Sequence, residues 1–90
     1  MAGRRRGALV REDIWFEDGK VTKYSLVYIN PGMCSTDNGR VLGYDNNHGY
    51  HHRHFMGEVK SYRFSTYEKL LDRFMKEVHE LWRKEDEQDG

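Results

Sequence analysis

Ninety residues, 37% apolar and 33% charged, make one small domain with a thin core, since a chain of this length buries only about 60–65% of the surface its unfolded form exposes. No apolar run approaches the roughly 20 residues of a membrane helix, the basic start has no apolar stretch behind it to form a secretory signal, and the single cysteine, Cys34, can neither close an internal disulfide nor hold a structural zinc by itself; a reducing, cytoplasmic setting fits these features. The net charge is zero but uneven, with ten Lys/Arg against seven Asp/Glu over residues 1–63 and five against eight over residues 64–90, so a basic face opposed to an acidic helix can present a local positive field to a polyanion within about 8–10 Å.

Residues 1–8 read as a flexible basic arm carrying Arg4, Arg5 and Arg6. A strand follows over about Leu9–Glu17, with Val10, Ile14 and Phe16 on one face. Asp18-Gly19 is a hairpin signal, because both residues tolerate the positive φ of a type I′ turn. Residues Lys20 to Ile29 alternate Tyr24, Leu26 and Tyr28 on one face with Val21, Val27 and Ile29 on the other, which predicts a central strand covered in part on both sides. Asn30-Pro31-Gly32 ends it, a loop holds Cys34, and Asn38-Gly39 turns the chain into a third strand over about Arg40–Tyr44. A polar turn follows over residues 45–49. His51–Met56 reads as a fourth strand or an extended loop, and Lys60–Phe64 as a short strand. Ser65-Thr66-Tyr67-Glu68 fits a capping box with Ser65 as the cap. Tyr67, Leu70, Leu71, Phe74, Val78, Leu81 and Trp82 then recur every three or four residues, which predicts an amphipathic helix of roughly 18 residues. An acidic, flexible tail is expected over residues 85–90. The fold class is therefore α+β: a small antiparallel sheet of three to five strands, with one long C-terminal helix packed on it, in a single domain over residues 9–84.

Chemistry concentrates in Gly43-Tyr44-Asp45-Asn46-Asn47-His48-Gly49-Tyr50-His51-His52-Arg53-His54 and continues to Glu58. Histidine exchanges protons near neutrality, and arginine offers a planar fork of donors suited to phosphate. Three readings are open: a polar surface loop; a metal site using His52 and His54 closed by Asp45 or His48; and metal-independent RNA cleavage. In the third, a base takes the ribose 2′-OH proton, an acid protonates the leaving 5′ oxygen and a cation stabilises the phosphorane-like transition state. Strand alternation would put Arg53 on the face opposite His52 and His54, which makes Arg40 or Arg63 the better cation.

The Gly43-Tyr44-Asp45-Asn46 stretch, the His51-His52-Arg53-His54 block, Gly57-Glu58 and Tyr62-Arg63-Phe64-Ser65 resemble the TumE-family toxins of bacterial and archaeal type II toxin–antitoxin systems, over about residues 10–82. His51 stands where the family pattern carries Asp. The resemblance implies a growth-inhibiting toxin restrained by an antitoxin of helix-turn-helix type. Together with the residues it predicts a ribonuclease whose catalytic set is His52, His54, Arg53, Asp45 and His51. Arg40, Lys60, Arg63, Tyr44 and Tyr50 are expected to contact the nucleic acid. No cofactor or metal and no membrane are expected. RNA, the antitoxin and a second copy of the chain in a homodimer are the partners. The alternatives are a non-catalytic module that binds nucleic acid or protein, and a metal-binding His-cluster protein.

Overall fold

The computed structural model describes residues 8–89. The arm expected over residues 1–8 therefore lies, apart from Ala8, outside the described residues, as does the side chain of His48. Ala8 already packs against the core.

Five strands, β1 (Leu9–Glu17), β2 (Lys20–Ile29), β3 (Arg40–Asp45), β4 (His52–Phe55) and β5 (Glu58–Ser61), form one antiparallel meander in the order β1-β2-β3-β4-β5. One helix, α1 (Tyr67–Asp89), packs on one face. This is the expected α+β arrangement. The β1–β2 hairpin closes where the sequence indicates, with Asp18 at φ 52° and Gly19 at φ 77°. A bulge between Trp15 and Phe16 twists its tip. β2 is an interior strand, but β3 is the central one.

Two boundaries between β4 and the start of α1 differ from expectation. The β4–β5 hairpin turns at Met56-Gly57, both with positive φ, so the last strand is Glu58–Ser61 rather than Lys60–Phe64. Methionine is not a turn residue by preference, and the requirement comes from the pairing around it. The helix cap is Thr66, not Ser65: Thr66 Oγ1 accepts from Lys69 N at 3.2 Å. Position N3 is then Lys69, so no reciprocal Glu completes a capping box.

The core lies between sheet and helix. Tyr24, Leu26 and Tyr28 of β2 and Leu42 and Tyr44 of β3 meet Leu70, Phe74 and Val78 of α1, all fully buried or nearly so. Each such large side chain contributes about 1.5–3 kcal/mol by leaving water. Among the described residues no helix is long and apolar enough to cross a membrane.

The helix does not end at Lys84, and residue 85 does not open a solvated tail. α1 runs on to Asp89, and Glu85 is 1% exposed. The Tyr28 hydroxyl sits 2.9 Å from both Glu85 carboxylate oxygens, and Asn30 Nδ2 donates to Tyr28 Oη at 3.2 Å. Asn30 in turn pins the loop before β3. Its N–H donates to Gly39 O at 2.8 Å, and its carbonyl accepts from Met33 N and Cys34 N. The end of the helix thus fixes the loop from which Arg40 emerges.

Candidate active site

Side chains alternate across a strand, and residues paired in an antiparallel ladder share a face. The register pairs Tyr44 with Arg53 and Leu42 with Phe55, which puts Arg53 on the helix side. It pairs Asp45 with His52 and Gly43 with His54, which puts these residues on the open side of the sheet. The histidine block therefore splits between two surfaces.

On the open side Asp45 is the hub. It is 6% exposed. Its Oδ1 accepts from His52 Nδ1 at 3.2 Å and from the Asn47 backbone N–H at 3.1 Å. Its Oδ2 accepts from His54 Nε2 at 2.9 Å. Arg40 joins from the start of β3. Its Nη2 donates to His54 Nδ1 at 3.0 Å, its Nε donates to Asp37 Oδ2 at 2.7 Å, and its Nη1 lies 4.0 Å from Asp45 Oδ2. Arg40, Asp45, His52 and His54, with Asn47 and Val59, line an open cleft of about 370 Å³.

The hydrogen bonds assign protons. A guanidinium only donates, so His54 Nδ1 accepts, and the neutral His54 ring carries its proton on Nε2, facing Asp45. His54 has both nitrogens engaged. His52 uses only Nδ1, and among the described residues its Nε2 has no hydrogen-bond partner. An imidazole oriented by a buried carboxylate with its second nitrogen free is the arrangement of a general base.

Two residues that sequence reasoning missed complete the cluster. Asp37 holds the Arg40 guanidinium and stands three positions before it, a spacing that could have suggested the pair. Gly43 is the other. A Cβ built there would meet Arg40 Cδ at 2.9 Å and Leu26 O at 3.3 Å, so only glycine lets Arg40 lie flat across the strand. Gly43→Ala is expected to displace Arg40, costing about 1–3 kcal/mol through overpacking. Thermal denaturation and ¹H–¹⁵N spectra of the arginine side chains check this; unchanged Arg40 resonances would contradict it.

Other expected site residues lie elsewhere. Arg53, placed in the catalytic set, instead donates from Nε to Tyr44 Oη at 3.0 Å and from Nη2 to Glu77 Oε2 at 2.7 Å, on the helix side of the sheet. Tyr44 is wholly buried, so its ring cannot stack on a base; its hydroxyl donates to Glu77 Oε1. Burial, and then the Glu77 carboxylate, push the Tyr44 phenol up to about 12. Lys60 pairs with Arg53 on exposed β5 and shares its face. Arg63 is exposed beyond β5, between the core-packing residues Tyr62 and Phe64. Tyr50 is 57% exposed, its ring centroid 4.0 Å from that of His52, at the edge of the cleft.

His51 also leaves the cluster. Its ring stacks on Phe64 at 4.3 Å and 2°, and its Nδ1 is hydrogen-bonded to the Tyr24 hydroxyl at 2.6 Å. Burial, then the neighbouring His52, lower its pKa from the usual 6.5. A depressed pKa means the unfolded chain binds more protons. Its stabilising contribution is therefore present above about pH 6.5 and is lost as pH falls through the folded value. Thermal melts are expected to drop on acidification below about pH 6.5, and His51→Phe, which keeps the stack, should flatten that drop. An equal slope in the variant would refute the assignment.

Asp45, His52 and His54 are also the one group among the described residues with metal-ligand chemistry, their ligand atoms lying within 4.8 Å of one another. The pattern of the family described as toxin TumE matches residues 8–82. The chain belongs to the toxin TumE family. No curated protein and no solved structure gives a significant match. The family match spans the whole sheet, the Asp45 cluster and α1 as far as Trp82. Membership carries a toxin role and, with it, an antitoxin as partner. Glu85 lies beyond the matched span.

Proposed function

We propose that this TumE-family toxin inhibits growth in the cytoplasm by cleaving RNA without a metal, through His52, Asp45 and Arg40, and that a helix-turn-helix antitoxin restrains it. The single observation that carries the reading is the Asp45–His52 pair in the same cleft as Arg40, with no hydrogen-bond partner on His52 Nε2 among the described residues. His52 Nε2 takes the proton of a ribose 2′-hydroxyl. The 2′ oxygen attacks the adjacent phosphorus, and the 5′ oxygen leaves with a proton from solvent. Arg40 offers its remaining N–H donors to the phosphate oxygens, where negative charge grows in the transition state. His54 is a positioning residue, tying Arg40 to Asp45. Tyr50, at the edge of the cleft, offers a face on which an unstacked base can rest.

The test is incubation of the purified protein with labelled single-stranded RNA and with its 2′-deoxy counterpart, with and without EDTA. Cleavage of the RNA alone, ending in 2′,3′-cyclic phosphates and unaffected by EDTA, is the expected result. Salt-sensitive binding without fragments would replace this reading with that of a non-catalytic binding module.

A further inference from the structure

Arg40 occupies the place where a metal centre would need a hydrogen-bond acceptor. A histidine that ligates a metal gives one nitrogen lone pair to the ion and donates its other N–H to a carboxylate, a carbonyl or water. His54 Nδ1 instead faces a guanidinium at 3.0 Å. That group stays protonated and can only donate. The His54 proton is therefore held on Nε2, directed at Asp45 Oδ2. The nitrogen that faces the other two ligand groups has no lone pair to offer.

We propose that Asp45, His52 and His54 form a latent site for a transition-metal dication of the zinc class, and that Arg40 holds it shut. Two imidazoles and a carboxylate, with a fourth position open to water, are a common zinc set. The ligand atoms are close enough for small side-chain rotations to bring them around one ion, and the cleft opens the fourth position to solvent. The closure is built into the fold: Asp37 grips Arg40 Nε at 2.7 Å, and Gly43 leaves the room in which the side chain lies. The guanidinium, 4.0 Å from Asp45 Oδ2, also repels a dication at the same carboxylate. When Arg40 leaves, Nδ1 is released, the ring can carry its proton there, and Nε2 turns from donor to ligand. This chemistry is independent of any reaction on RNA.

Zinc titration against a chromophoric chelator compares the wild type with Arg40→Met, which keeps side-chain length and removes the donors, and with Arg40→Met/His52→Ala, each checked for folding by circular dichroism. Arg40→Met is expected to take up one equivalent roughly 10–100-fold more tightly than the wild type, and the double variant to lose that gain. Equal affinity in the wild type and Arg40→Met overturns the proposal, as does a gain that survives loss of His52. A second measurement needs no variant. Two-bond ¹H–¹⁵N spectra of the wild type should show the His54 proton on Nε2, facing Asp45; a proton on Nδ1 overturns the proposal. Neither experiment reads RNA cleavage, so failure here is distinct from failure of the ribonuclease reading.

Discussion

His52→Ala is expected to lower RNA cleavage by about 10²–10⁴-fold, the usual contribution of a positioned proton-transfer group, and to abolish growth inhibition in cells lacking the antitoxin. Among the described residues His52 Nε2 is the imidazole nitrogen in the cleft that has no hydrogen-bond partner, and the buried Asp45 fixes the ring so that this nitrogen accepts. The folded state should survive, because His52 contributes one side-chain hydrogen bond and no helix–sheet contact. Asp45→Asn separates orientation from proton transfer. Its amide can still meet one histidine but cannot accept from both and from Asn47 N–H, so the pH–rate profile should change shape as well as height. The measurement is cleavage of a labelled RNA across pH, with circular dichroism as the check on folding. Full activity in a folded His52→Ala protein would remove the ribonuclease assignment and leave the family membership standing.

Deleting residues 85–90 is expected to destabilise the domain, although those six residues look in the sequence like a solvated acidic end. Glu85 is the acceptor for the buried Tyr28 hydroxyl. Without it Tyr28 and Asn30 lose a buried partner, at a cost of about 1–3 kcal/mol. In a domain of this size that corresponds to a fall of roughly 5–20 °C in the melting midpoint. Glu85→Ala in the full chain should reproduce much of the effect, and Glu85→Gln, which keeps an acceptor oxygen, less of it. Because Asn30 also pins the loop before Arg40, the deletion should weaken cleavage at temperatures where the domain is still folded. An unchanged midpoint on deletion would contradict this role.

Expectations drawn from the sequence held or failed for different physical reasons. The Asp18-Gly19 hairpin, the third strand and the apolar stripe of α1 rest on neighbours along the chain, and each appears where its pattern lies. Met56-Gly57 was missed because a methionine at positive φ is imposed by strand pairing, not preferred by the residue. In the sequence the carboxylate of Glu85 reads as solvent-loving, because its acceptor role depends on a tyrosine 57 positions earlier. Of the four clustered histidines, alternation alone indicated that His52 and His54 share a face and that Arg53 does not. It could not indicate that His51 stacks on Phe64, or that Tyr44, adjacent to Asp45, is a core residue rather than a surface for bases.

By itself the order of residues determined the fold class, the sheet-then-helix succession and the segment in which chemistry would be found, since periodicity, turn residues and local composition act over a few positions. Only the tertiary structure decided which of those groups meet. Cross-strand register set Asp45 between His52 and His54, took Tyr44 into the core and put Arg53 on the helix side, away from the cleft. A glycine then made room for the Arg40 side chain. Proton placement and ligand capacity depend on distances of about 3 Å between groups far apart in the chain, and these arise when the strands pair.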